Sequence, residues 1–355
     1  MSSDSTPPFS LASDNAASVH PAVMEALARA NSGYAAAYGY DAFTAAADRK
    51  FDDLFGRSVE TFYVWGGTGA NVVAMACAAM ANGPRWTVIC TDVAHIHVDE
   101  NAAPERMFGL KLLATPSADA KLSPSAIDRA AVVLGDEHHP QPGIVSITQS
   151  TESGTLYSVE EIAALCDTAH SYGMFVHLDG ARIANATAAL GGTSAALRSF
   201  TIDVGVDVIS FGGTKNGMMY GEAIVFCNPA LAGPAKFVRK QMSQLPSKMR
   251  YIAAQFDALL TDGLWIANAE HANAMARRLH DGVTSLPQVH CPVPPVVNSM
   301  FPTISSGDAE SLRNVAPFYD WDSTRHQVRW MTSWETRADQ VDAFCHAASQ
   351  LAPTV

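Results

Sequence analysis

Lys215 lies in Ser210-Phe211-Gly212-Gly213-Thr214-Lys215-Asn216-Gly217, directly after the apolar run Val206-Asp207-Val208-Ile209. An unprotonated lysine amine adds to aldehydes, and partial desolvation or a neighbouring cation lowers its pKa enough to allow this. Most lysines are instead solvated surface charges. A second segment shifts the balance: Met174-Phe175-Val176-His177-Leu178 reads as a strand and runs into Asp179-Gly180-Ala181-Arg182. One helix-sized stretch and the next strand separate Asp179 from Lys215, and in a parallel α/β sheet this spacing brings two strand ends to the same edge. Taken alone, Asp179-Gly180 reads equally well as a turn with a capping aspartate.

Thr61-Phe62-Tyr63-Val64-Trp65 leads into Gly66-Gly67-Thr68-Gly69-Ala70-Asn71 and then the apolar run Val72 to Met80, a strand, glycine turn and helix. Bare glycines let backbone N–H groups approach a phosphate, which the helix dipole favours, and Thr68 adds a hydroxyl. A dinucleotide fingerprint fits poorly, because Val72 stands where the third glycine would be needed. A lysine, an acid at the next strand end and a phosphate turn together meet the needs of pyridoxal phosphate: an amine for its aldehyde, a carboxylate to keep its ring nitrogen protonated, and a phosphate cradle. His95, in Ala94-His95-Ile96-His97-Val98-Asp99-Glu100 after the strand Trp86 to Cys90, is placed to lie over such a ring or to move a proton. A histidine at a strand end is also commonly a structural group.

These segments resemble the L-threonine aldolases, most closely the phenylserine aldolase-like subgroup, within the aspartate-aminotransferase-like (fold type I) pyridoxal phosphate enzymes. The resemblance runs from about Phe9 to the C-terminus and weakens between about Val296 and Arg325. It implies that Lys215 holds the cofactor aldehyde, Asp179 meets the ring nitrogen, His95 stacks on the ring, and Gly67 and Thr68 bind the phosphate. It further implies that Arg182 contacts cofactor or substrate and that Ser13 and Arg329 hold the substrate carboxylate. Tyr38, in Tyr38-Gly39, resembles the family's Tyr-Gly motif near the substrate, and Arg250 resembles a residue reaching a neighbouring subunit's cofactor phosphate. Many relatives carry a histidine, proposed to act on the β-hydroxyl, where this chain has Glu152, in Gln149-Ser150-Thr151-Glu152-Ser153-Gly154-Thr155. A carboxylate there relays the proton if it faces the pocket; otherwise His95 is the remaining candidate.

The implied reaction is reversible cleavage of an L-β-hydroxy-α-amino acid (L-threonine, L-allo-threonine or L-phenylserine) to glycine and an aldehyde. The alternatives are a β-eliminating lyase or aminotransferase on the same fold, since cofactor ligands do not choose which bond breaks, or a cofactor-binding homologue without turnover. Trp65, Trp330 and Trp334 flank the candidate residues and either line an aromatic pocket or pack a core. The resemblance also implies a homodimer or homotetramer with active sites between subunits.

The elements that must position these residues follow from pattern. Gly143 to Gln149 reads as a strand, and Ser158 with Glu161 forms a capping box for the next helix. The alternation of strands and helices predicts an α/β fold with a mainly parallel sheet, its ligands gathered after strands on turns. The pattern changes beyond about Pro246, where Met249 to Leu260 and Ile266 to Leu279 read as helices. The expected organisation is a loose tail over 1–8, a cofactor-binding large domain over 9–246 and a small C-terminal α+β domain over 247–355. With 355 residues, 48% hydrophobic and only 16% charged, the chain can bury a large core and a subunit interface. A formal charge of −12 argues against nucleic acid or an anionic membrane as partner. No apolar run is long enough to span a bilayer, and the N-terminus lacks a secretion signal. Six scattered cysteines without a C-x-x-C pair suggest free thiols in a cytoplasmic enzyme. His95/His97 and His138/His139 lack zincin spacing, so no metal is expected.

Overall fold

The computed structural model describes residues 9–351; the expected tail over 1–8 lies outside them. Its main sheet has seven strands: β1 (Glu60–Val64), β2 (Thr87–Thr91), β3 (Lys111–Thr115), β4 (Pro142–Thr148), β5 (Phe175–Gly180), β6 (Val208–Gly212) and β7 (Glu222–Phe226), in the order β1-β7-β6-β5-β4-β2-β3. The run from β3 through β2, β4 and β5 to β6 is parallel. β7 is antiparallel to both β6 and β1.

The central strands are apolar throughout because both sheet faces are covered. Side chains alternate between two cores: Ile89, Val145, Ile209 and Val225 point to one, whereas Val88, Ile144, Val208 and Ile224 point to the other. The helix Val159–Ser171 covers the first face and opens with the expected Ser158–Glu161 capping box. The helix Gly67–Ala81 covers the second; its alanine-rich surface is buried almost all round, with the helices Ala103–Phe108 and Ala235–Gln241 packed against it.

A second, three-stranded antiparallel sheet, β8 (Ser299–Met300), β9 (Tyr319–Asp322) and β10 (Gln327–Met331), is ordered β8-β10-β9. It encloses a third core with the helix Ala338–Ser349, in which Trp330 is fully buried against Phe344 and Phe318. Met249, Ile252, Phe256 and Trp265, which follow the expected boundary at 246, lie in the first core of the large sheet, and the third core takes over at Leu279. The end of strand–helix alternation therefore comes before the change of core, which occurs within the helix Leu264–Val283. The N-terminal stretch packs on the small sheet: Leu11 is buried in the third core, its N–H donates to Pro317 O, and its carbonyl accepts from Met331 N.

Among the described residues, no helix is long and apolar enough to cross a membrane. All six cysteines are free, and burial pushes the thiols of Cys77, Cys90 and Cys166 up to about 12.

Candidate active site

Lys215 sits on a single 3-10 turn, Thr214–Asn216, just after β6. Two glycines make this approach possible. A Cβ on Gly212 would stand 2.3 Å from the Ala181 carbonyl oxygen, and one on Gly213 would stand 2.4 Å from Met218 Sδ. Backbone carbonyls, of Ala181 beside Gly212 and of Gly221 at 2.7 Å beside Gly213, therefore lie where any larger residue would need its side chain. Burial, then the Arg182 charge, pushes the Lys215 ammonium below the ordinary lysine value, while Asp14, Asp179 and Glu222 pull it upward. A lowered pKa is what a lysine that adds to carbonyls needs.

Asp179 is in β5, the strand beside β6, and pairs in register with Ser210. Its Oδ1 accepts from Ala181 N at 3.0 Å, so the expected Asp-Gly turn contact exists; its Oδ2 accepts from Asn71 Nδ2 at 2.8 Å. The same Asn71 amide donates to Glu100 Oε1 at 2.9 Å, and that oxygen also meets His95 Nδ1 at 3.0 Å. A continuous chain of polar contacts thus joins Asp179 to His95 through Asn71 and Glu100. The Glu100 hydrogen bond raises the His95 pKa against the opposing effect of burial.

His95 opens the one-turn helix His95–Val98, and its backbone N–H donates to Glu152 Oε1 at 2.8 Å, an atom that also accepts from the Thr148 hydroxyl at 2.9 Å. The other Glu152 oxygen is buried and has no partner among the described residues. Burial raises the Glu152 pKa, with the Asp179 charge adding to it.

The N-terminal stretch and β10 form the opposite wall. Asp14 is buried and accepts from Arg182 Nε at 2.6 Å and Nη2 at 3.0 Å, and Asn298 Nδ2 donates to it at 3.1 Å. Burial opposes ionisation of Asp14, but the Arg182 charge and hydrogen bonds win and its pKa falls. Next to it, Ser13 caps a short turn by accepting from Asn15 N. Arg329, on β10, donates through Nη2 to Ala12 O at 3.0 Å and lies over the Tyr319 and Trp321 rings, while its Nε is buried without a partner. The glycine turn is open: nothing stands within 4 Å of a Cβ on Gly66 or Gly67, and Gly66 offers no side-chain cap to the helix Gly67–Ala81. Its first N–H groups, with Thr68, are available to an anion. These donors and the Lys215–Asp179 pair fit pyridoxal phosphate.

Residues 10–305 match the beta-eliminating lyase family. The chain belongs to that family. It is similar to the low specificity L-threonine aldolase of Pseudomonas sp. (strain NCIMB 10558), 40% identical over 93% of this chain and 94% of that protein. The low specificity L-threonine aldolase of Pseudomonas aeruginosa is equally similar, at 40% identity over 93% and 94%. The structure superposes on a threonine aldolase from Leishmania major with a TM-score of 0.89 and 29% identity, covering 97% of this chain and 99% of that one. This beta-eliminating lyase family member is a pyridoxal phosphate enzyme of the threonine aldolase type with a fold type I architecture, as the resemblance implied.

Of the residues expected at the site, Lys215, Asp179, His95, Glu152, Arg182 and Arg329 are linked by these contacts and charges, Ser13 adjoins Asp14 in the chain, and Gly67 and Thr68 open the neighbouring helix. Tyr38 and Arg250 stand apart within one chain. Tyr38 is exposed, with the Lys240 ammonium 5.5 Å from its ring centroid, and Arg250 donates to the carbonyls of Ser32 and Gly33. Trp330 is core packing, whereas Trp65 lies tilted against Tyr220 and Trp334 tilted against His20. Sequence reasoning missed Asp14, Asn71, Glu100 and Glu222, whose roles come from partners brought to them by folding; Asn71 and Glu100 stand inside segments read for other residues.

Proposed function

We propose that this chain cleaves L-β-hydroxy-α-amino acids, namely L-threonine, L-allo-threonine or L-phenylserine, reversibly to glycine and an aldehyde. The observation that carries this reading is the placement of Lys215 and Asp179 at the ends of neighbouring parallel strands, β6 and β5. When bound, pyridoxal phosphate supplies a protonated ring that accepts the electron pair released as the Cα–Cβ bond breaks. Lys215 would hold it covalently, Asp179 would meet its ring nitrogen, Gly67 and Thr68 would receive its phosphate, and His95 would stack on its ring. Asp14 fixes the Arg182 guanidinium beside Lys215, so that Arg182 lowers the lysine pKa and presents its remaining donor to cofactor or substrate.

Arg329 takes the substrate carboxylate. A half-buried guanidinium with a buried, unpaired Nε suits an incoming anion, and Ser13 stands beside the carbonyl it already holds. Glu152 accepts the β-hydroxyl proton, directly or through a water, because it has a buried oxygen without a partner and a pKa raised by burial. We further infer a homodimer or homotetramer, in which Tyr38 and Arg250 serve a neighbouring subunit. Tyr34, Tyr38 and Tyr40 are all exposed on one loop, a costly arrangement for an isolated chain. Free thiols throughout fit a cytoplasmic enzyme.

The test is to incubate purified protein and pyridoxal phosphate with each of the three amino acids and assay glycine and aldehyde. Equimolar release, lost in Lys215→Ala, is expected. Ammonia with a keto acid would instead point to elimination, and no product from any of the three would overturn the reading.

A further inference from the structure

Glu222 is a buried carboxylate that the proposed reaction does not use. It is the first residue of β7, paired in register with Gly212 on one side and Val64 on the other. A buried carboxylate is unfavourable unless donors or charges meet it. Here the donor is the backbone of the lysine's own turn: Glu222 Oε2 accepts from Gly213 N at 2.6 Å. No arginine pairs with it among the described residues. The neighbouring residue repeats the link, as Gly221 N donates to Thr214 Oγ1 at 3.1 Å. The loop has no slack, because a Cβ on Gly213 would stand 2.7 Å from the Gly221 carbonyl oxygen and one on Gly221 would stand 2.7 Å from Ile252 Cγ2.

We propose that Glu222 is a positioning residue for Lys215: its carboxylate clamps the Gly213 amide, and so the turn that aims the lysine, and once ionised it adds a negative charge that acts on the amine. The inference rests on Lys215 as the cofactor lysine. The charged groups that act on Lys215 are Arg182, which disfavours the ammonium, Asp14, Asp179 and Glu222, which favour it, and His95, which repels it when protonated. Asp14 is already neutralised by Arg182 and Asp179 is bonded to Asn71, so Glu222 is the carboxylate joined to the lysine's own loop. Burial pushes its carboxyl up to about 7, so it is ionised in the alkaline range where a lysine titrates.

The test reads the full chain without added cofactor. Lys215 is labelled by reductive methylation from neutral to alkaline pH, its extent of modification is followed by mass spectrometry, and Lys121 and Lys240 serve as internal controls. Glu222→Gln keeps an acceptor for Gly213 but removes the charge. The expected result is a Lys215 midpoint lower by about one pH unit, or about tenfold more labelling below the midpoint, with the controls unmoved. A Lys215 curve coincident with wild type in the folded variant overturns the proposal. If Glu222→Gln does not fold, Glu222→Asp decides: it keeps the charge but shortens the reach, so amide exchange at Gly213 should accelerate while the midpoint stays near wild type. Unchanged exchange there overturns the clamp. Failure of the wild-type protein to give a borohydride-trapped adduct of pyridoxal phosphate at Lys215 would sink the proposed function instead, and would leave the labelling result standing.

Discussion

At the scale of single residues, the contact between His95 and Glu100 makes a testable statement about pH. The Glu100 hydrogen bond raises the folded-state pKa of His95 above the ordinary 6.5. The stabilisation this gives is fully present below the unfolded value and is lost as pH rises through the folded one. Urea midpoints of the cofactor-free chain should therefore fall across that window, and Glu100→Gln should flatten the dependence. Glu152→Gln, which keeps a hydrogen-bond acceptor but cannot take a proton, should lower kcat by about 10²- to 10⁴-fold with less effect on KM. An unchanged kcat would transfer the proton to His95 or to a water held elsewhere. Lys215 and Asp179 were legible in the sequence because glycines and apolar runs mark the strand ends that carry them. Asn71 was not: it lies within an apolar helix, and only folding brings its amide between Asp179 and Glu100.

At the scale of elements, the lysine turn depends on how closely β6 lies against the backbone following β5. Gly212→Ala would bring a methyl group within 2.3 Å of a carbonyl that cannot rotate aside. It should cost about 1–3 kcal/mol in urea denaturation and displace Lys215 enough to lower turnover about 10²-fold or more. Wild-type activity in Gly212→Ala would mean that the loop has freedom the packing does not suggest. The strands and the capped helix Val159–Ser171 could be read from sequence because each carries its own signal, an apolar run or a capping box. The fate of Trp330 could not. A tryptophan on an alternating strand points either to a pocket or to a core, and the choice is made by Phe344 and Phe318, one of which comes from a later helix. The change of core within Leu264–Val283 was hidden for a similar reason, since one helix has the same periodicity whichever core it faces.

At the scale of the molecule, three regions meet at Asp14: Arg182 from the large sheet, Asn298 from before β8, and the N-terminal stretch itself. Asp14→Ala would leave the Arg182 guanidinium buried without its counter-charge. The expected loss is about 3–5 kcal/mol, measured by urea denaturation, together with a lower Lys215 labelling midpoint because Arg182 is no longer offset. No stability change would mean that Arg182 finds another acceptor. The N-terminal contribution escaped pattern reading because Leu11 packs on a sheet whose strands lie some three hundred positions later. That pairing also sets a timetable. A nascent chain can assemble the large sheet while still attached to the ribosome, but Leu11 and Asp14 find their partners only after Asn298 and β10 have also been made. Arg182 and Arg329 therefore remain unsecured until β10 has been made, and a chain terminated before it carries the reactive amine without the wall that confines it.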